Sequence, residues 1–164
     1  MNIKKLVTAA ILIALACVGA NIKIMGSIAF DSMAAFLGAL ILGPVYGALV
    51  GFLGHMISAL LSGFPFGLPT HLVIAVSMAI TMLGFGFCYR ILKDRLSLLY
   101  NLIITGVAGL ILNGPVSLAL CAPLIGVPAA VGLAPVLILA SAVNIILAAL
   151  IYRVYLVYSK GGSK

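Results

Sequence analysis

Two histidines and two aspartates are the chain's whole stock of imidazole and carboxylate side chains. Asp31, His55 and His71 are the three that stand next to apolar runs. A carboxylate beside a membrane span is expensive to desolvate, and by default it marks a binding or coupling site. Asp is also a favoured helix N-cap, where its charge suits the dipole, so Asp31 carries both readings. No HExxH and no third ligand accompanies His55 and His71, which is too few donors for a metal site. No GxSxG elbow points to a Ser-His-Asp hydrolase, and no GxxxxGK[ST] points to ATP on a P-loop. What remains is aromatic rings (Phe30, Phe64, Phe66), two amides (Asn113, Asn144), Lys23, the two histidines and Asp31. That set suits reversible binding of a small, partly aromatic polar molecule, with no cofactor.

The elements that position these residues are helices in lipid. The chain is 65% hydrophobic and 7% charged, with a mean hydropathy of +1.40. A soluble domain carries about a quarter charged residues, so a chain this poor in charge cannot cover a water-facing surface. Its net charge of +7 is scattered over segment ends rather than gathered on one face, which argues for membrane orientation and against nucleic acid. About 20 apolar residues cross the hydrocarbon. On that rule helices are predicted over residues 5–24, 31–43, 45–61, 70–92, 98–120 and 131–155. The second is too short to span upright. The result is one all-α integral membrane domain, residues 1–160, a compact bundle of six transmembrane helices, with 161–164 as a tail. Eight of the nine basic residues, Lys4, Lys5, Arg90, Lys93, Arg95, Arg153, Lys160 and Lys164, then share one side. Lys23 alone falls on the other. The positive-inside rule makes the shared side cytoplasmic, with both termini there.

Polar residues inside the spans form stripes. Gly51, His55, Ser58 and Ser62 share one face of the third helix. Asn101, Thr105, Gly109, Asn113, Ser117 and Cys121 step by fours along the fifth, and Ser141 and Asn144 pair on the sixth. Polar groups in hydrocarbon need partners, so these faces turn inward, either as interhelical hydrogen bonds or as the wall of a wet cavity. Gly43, Gly47 and Gly51 make a doubled GxxxG that lets helix backbones approach closely. Cys17, Cys88 and Cys121 lie far apart with no CxxC, and read as packing residues. Ala14-Leu15-Ala16-Cys17 loosely resembles a signal-peptidase site, but the apolar run continues past it.

These residues resemble those of the substrate-binding S component of energy-coupling factor (ECF) vitamin transporters. Ala10 and Ala14 match the AxxxA face with which that family docks its transmembrane coupling subunit. Five stretches are similar to the α-ribazole group within it: Gly26-Ser27-Ile28-Ala29-Phe30-Asp31-Ser32, Leu42-Gly43-Pro44-Val45-Tyr46-Gly47, Gly54-His55, Ser62-Gly63-Phe64-Pro65 and Gly67-Leu68-Pro69-Thr70-His71. Ala34 departs from it, where proline is expected. The resemblance implies a non-enzymatic plasma-membrane subunit that captures a vitamin or precursor from outside. It implies as partners a coupling subunit and two ATPase subunits that drive release inward. Phe30, Phe64 and Phe66 would stack on the dimethylbenzimidazole of α-ribazole, and Asp31 would accept its ribose hydroxyls. His55, His71, Asn113 and Asn144 would address what remains, with Lys23 at the same outer end. The alternatives are an S component for riboflavin, a thiamine precursor or cobalamin, a structural membrane protein without ligand, and an intramembrane enzyme using His55, His71 and Asp31.

Overall fold

Lipid offers no hydrogen bonds to a bare backbone, so an apolar chain satisfies its peptide groups in helices. The computed structural model describes residues 3–21, 23–24, 28–29 and 31–161. α1 (Ile3–Gly19) leads into a two-strand hairpin, β1 (Lys23–Ile24) antiparallel to β2 (Ile28–Ala29). There follow α2 (Ser32–Ile41), α3 (Pro44–Leu61), α4 (Gly67–Leu92) and α5 (Leu98–Ile111). A π turn (Leu112–Val116) joins α5 to α6 (Ser117–Ile125), and α7 (Val127–Gly161) closes the described chain. With α5, the π turn and α6 forming one rod, six helices are described.

Several boundaries differ from expectation. The first helix was expected to reach residue 24 but stops at Gly19, because Lys23 and Ile24 are drawn into strand pairing. The fourth begins at Gly67 rather than 70, and the sixth at Val127 rather than 131 and ends at Gly161, one residue into the expected tail. The fifth is not uniform. Pro115 lacks an N–H to donate, and the wider π turn around it absorbs that loss.

Among the described residues four rods, Pro44–Leu61, Gly67–Leu92, Leu98–Ile125 and Val127–Ser159, are long and apolar enough to cross a membrane. α1 has 17 residues. α2 has only 10, which at about 1.5 Å per residue is half a bilayer. Its surroundings explain why this suffices. α1, α3, α4 and α7 all pack on α2, and Ala34, Ala35 and Phe36 are wholly buried. Protein, not lipid, is its solvent.

That central position demands close approach. A Cβ at Gly47 would lie 2.7 Å from the Ala39 Cα of α2, and one at Gly86 would lie 2.8 Å from the Pro44 Cα. Of the doubled GxxxG, Gly47 and Gly51 therefore pack α3 on its neighbours. Gly43 instead turns the chain between α2 and α3 at φ 107°, with the Arg90 side chain where a Cβ would stand. Lys5 lies 6.0 Å from the Tyr46 ring at the same end of the molecule.

Candidate functional site

The opposite end brings together the N-terminus of α2, the second half of α3 and the first turns of α4. Asp31 Oδ2 lies 3.3 Å from His55 Nδ1, and His55 Nε2 lies 3.2 Å from His71 Nδ1. An ionised carboxylate only accepts hydrogen bonds. With Asp31 ionised and both imidazoles neutral, His55 Nδ1–H donates to it, His55 Nε2 accepts, and His71 Nδ1–H donates in turn. The relay then ends in a lone pair on His71 Nε2. Among the described residues this is the one buried side-chain polar atom without a partner. Leaving such an atom unpaired costs about 1–3 kcal/mol, and this one sits on a side chain 2% exposed.

Aromatic rings box that imidazole. The Phe66 ring is stacked on His71 at 6.3 Å and the Phe64 ring meets it edge-on at 5.7 Å. Both come from the turn after α3, which Gly63 enters at φ 72°. Phe64 follows in the left-handed region at φ 51°, a conformation that costs a bulky side chain about 1–3 kcal/mol. Its N–H donates to the Ala59 carbonyl at 2.9 Å, which closes α3, and its carbonyl accepts from Gly67 N–H at 2.8 Å.

Asp31 and His55 line a cavity of about 80 Å³. Its polar lining residues include Ser32, Thr70, Asn113, Ser117, Ser141 and Asn144. Its apolar lining comes from Ile74 and Met78 of α4, Leu118 and Ile125 of α6, and Leu133 and Leu137 of α7. The π turn aims Asn113 inward, where its Nδ2 donates to Ser141 Oγ at 2.7 Å. Asn144 Nδ2 donates to the Ala140 carbonyl at 2.9 Å, and its Oδ1 accepts from Met33 N–H at 3.0 Å.

Asp31 occupies the N-cap position of α2 without a side-chain cap bond. Its backbone is helical, φ −73° and ψ −32°, rather than in the extended region from which an N-cap oxygen reaches back to the first turn. The capping alternative for its carboxylate is thereby overturned. Asp31, His55, Phe64, Phe66 and His71 come together, and Asn113 and Asn144 join Asp31 and His55 around the cavity. Phe30 lies outside the described residues, and for Lys23 only its backbone, in β1, is described. Ala10 and Ala14 lie far from this cluster in sequence, exposed on α1 opposite the buried Ala9, Leu12 and Ala16. Sequence reasoning missed Ser32 and Thr70 as cavity residues. Their positions beside Asp31 and His71 were the available signal. It missed the apolar wall as well, which composition hides because every helix here is apolar.

No group of three or more His, Cys, Asp or Glu side chains suited to a metal ion occurs among the described residues. The fold and the cavity together define a helical membrane protein with a mainly apolar cavity that a few polar side chains also line. A family model, the substrate-specific component of ECF transporters, matches residues 4–158, and the chain belongs to that family. Membership makes it a membrane-embedded, substrate-binding transporter component, a class that is not an enzyme class, with a small-molecule substrate and an ECF energizing module as partners. No curated protein and no solved structure matches it.

Proposed function

We propose that this S component captures α-ribazole from outside the cell, in the cavity beside the Asp31–His55–His71 relay. The observation that carries the reading is the relay itself: a buried carboxylate held by one imidazole, ending on a second imidazole with an unpaired lone pair. Such a site is built to receive hydrogen-bond donors. A riboside supplies hydroxyl donors, and dimethylbenzimidazole supplies a flat apolar body. The polar lining residues suit the first and the apolar ones, Ile74 and Leu137 among them, the second, with Phe64 and Phe66 beside the relay. Asp31 receives ribose hydroxyls in charge-assisted bonds, and His71 Nε2 and Asn113 take the remaining polar atoms. Sites for drug-sized ligands measure about 300–1,000 Å³, so a cavity of about 80 Å³ has to widen. Phe66 and the α6–α7 turn at Gly126 are its movable rim.

Orientation supports the same reading. Lys5 and Arg90 sit at the end away from the relay, against Tyr46 and Gly43, and the positive-inside rule makes that end cytoplasmic. The cavity then opens outward and both termini face inward, with six helices in the bilayer. The exposed Ala10–Ala14 face of α1 docks the coupling subunit, and ATP hydrolysis by two ATPase subunits drives release inward.

The test is calorimetric titration of the purified protein with α-ribazole, alongside mass spectrometry of the ligand that co-purifies. Saturable binding of α-ribazole, with competition by no other vitamin, is the expected result. Co-purified riboflavin, a thiamine precursor or cobalamin overturns the substrate, and no saturable ligand at all overturns the binding role.

A further inference from the structure

The first turn of α2 and the middle of α7 are 111 residues apart in sequence, yet they share one hydrogen bond. Met33 N–H is the second of the orphan donors at the start of α2, the group an N-cap side chain ordinarily satisfies. Here it donates to Asn144 Oδ1 at 3.0 Å. The other end of the Asn144 amide donates to the Ala140 carbonyl at 2.9 Å. That bond fixes which way the amide faces. Asp31 stands one residue before the helix, is of the best capping type, and makes no cap bond. Its carboxylate goes to His55 Nδ1 instead.

We infer that Asn144 is a positioning residue: it caps α2 from another helix and so keeps Asp31 available to the His55–His71 relay. The physical argument is competition for one carboxylate. Asp31 has two possible acceptor jobs, the His55 imidazole it now meets and, after a change at its own backbone, the orphan N–H groups of its helix. With Met33 N–H already satisfied by Asn144, the local job is removed and the imidazole wins. Without Asn144, a part-buried N–H lacks its partner, and Asp31 satisfies it through a backbone change at one residue. His55 then loses its carboxylate, and with it the bias toward the Nδ1–H tautomer that sets the polarity of the relay. The inference rests on the proposed ligand site for its effect on binding, though not for its effect on the relay.

The chain has only two histidines, so the imidazole 15N spectrum of ligand-free protein in detergent micelles reads the relay directly. In the unmodified protein His55 is expected as the Nδ1–H tautomer. Asn144→Ala is expected to shift His55 toward Nε2–H. Should Asn144→Ala not fold, Asn144→Ser removes the reach to Met33 while its hydroxyl bonds back to the Ala140 carbonyl. It is expected to shift His55 in the same way. For α-ribazole, Asn144→Ala is expected to weaken binding by the same factor as Asp31→Ala, and the double variant by no more than either. An unchanged His55 spectrum in the folded Asn144→Ala or Asn144→Ser protein, or losses that multiply in the double variant, overturns the inference. A shifted spectrum with unchanged α-ribazole affinity supports the capping role and overturns the placement of the ligand.

Discussion

Two buried polar networks sit at opposite ends of the bundle, and they differ in kind. At the basic end Tyr89 and Tyr152 share a hydrogen bond between hydroxyls 2.9 Å apart. Asn101 Nδ2 donates to the Tyr89 carbonyl at 3.0 Å, and Thr105 donates to Asn101 Oδ1 at 2.9 Å. Every group there finds its partner within the protein, and none of these residues lines the cavity. At the other end the Asp31–His55–His71 relay leaves one atom unpaired, borders a cavity and holds Phe64 in the left-handed region. A closed network ties α4, α5 and α7 together and stops there. An open one keeps unspent hydrogen-bonding capacity and backbone strain, which natural proteins retain where something binds.

Mutations at the two ends should therefore separate affinity from stability. Asp31→Ala is expected to have the largest effect on binding, since hydrogen bonds to a charged group are worth about 1.5–3 kcal/mol. Titration with α-ribazole should show a loss of about 10- to 100-fold; unchanged affinity sinks the ligand role of the carboxylate. Tyr152→Phe is expected to leave affinity untouched while costing about 1–3 kcal/mol of stability, because the Tyr89 hydroxyl is left buried and alone. Thermal melting in detergent reads that cost, and a parallel loss of affinity erases the distinction between the ends. Removing both hydroxyls in the Tyr89→Phe/Tyr152→Phe pair should recover most of the lost stability, as replacing both partners of a buried bond is nearly neutral. The smallest effect is expected at Phe64→Gly. Relief of the left-handed φ, about 1–3 kcal/mol, is opposed by the greater freedom of unfolded glycine, about 0.5–1 kcal/mol, and by loss of the ring contact with His71, so melting should move little while α-ribazole binds more weakly. A clear stabilisation with full affinity would show that the Phe64 ring has no part in the site.

Much of this was legible beforehand, for reasons that differ by element. The helices were, because apolar runs broken by Gly43-Pro44 and by the residue 62–69 turn leave lipid-solvated chain no other conformation. The inward stripes were, because Asn101, Thr105, Ser141 and Asn144 have to find partners in hydrocarbon, and all four are buried. The early end of α1 was not legible, since strand pairing of residues 23–24 with 28–29 involves no change in hydropathy. The π turn was missed although Gly114-Pro115 in mid-span is its signal. The short α2 could be found but not understood until its four neighbouring helices were seen.

By itself the sequence determined a helical membrane protein of the ECF substrate-specific family, with Asp31, His55 and His71 as its distinctive side chains. Solvent and periodicity act locally, so they can be read without knowing the packing. Which partner Asp31 takes is different in nature. Its own helix and the His55 imidazole both compete for it, and local preference favours the helix. Only the tertiary structure decided for the histidine, by bringing Asn144 of α7 to Met33 of α2 and filling the capping role from a distance.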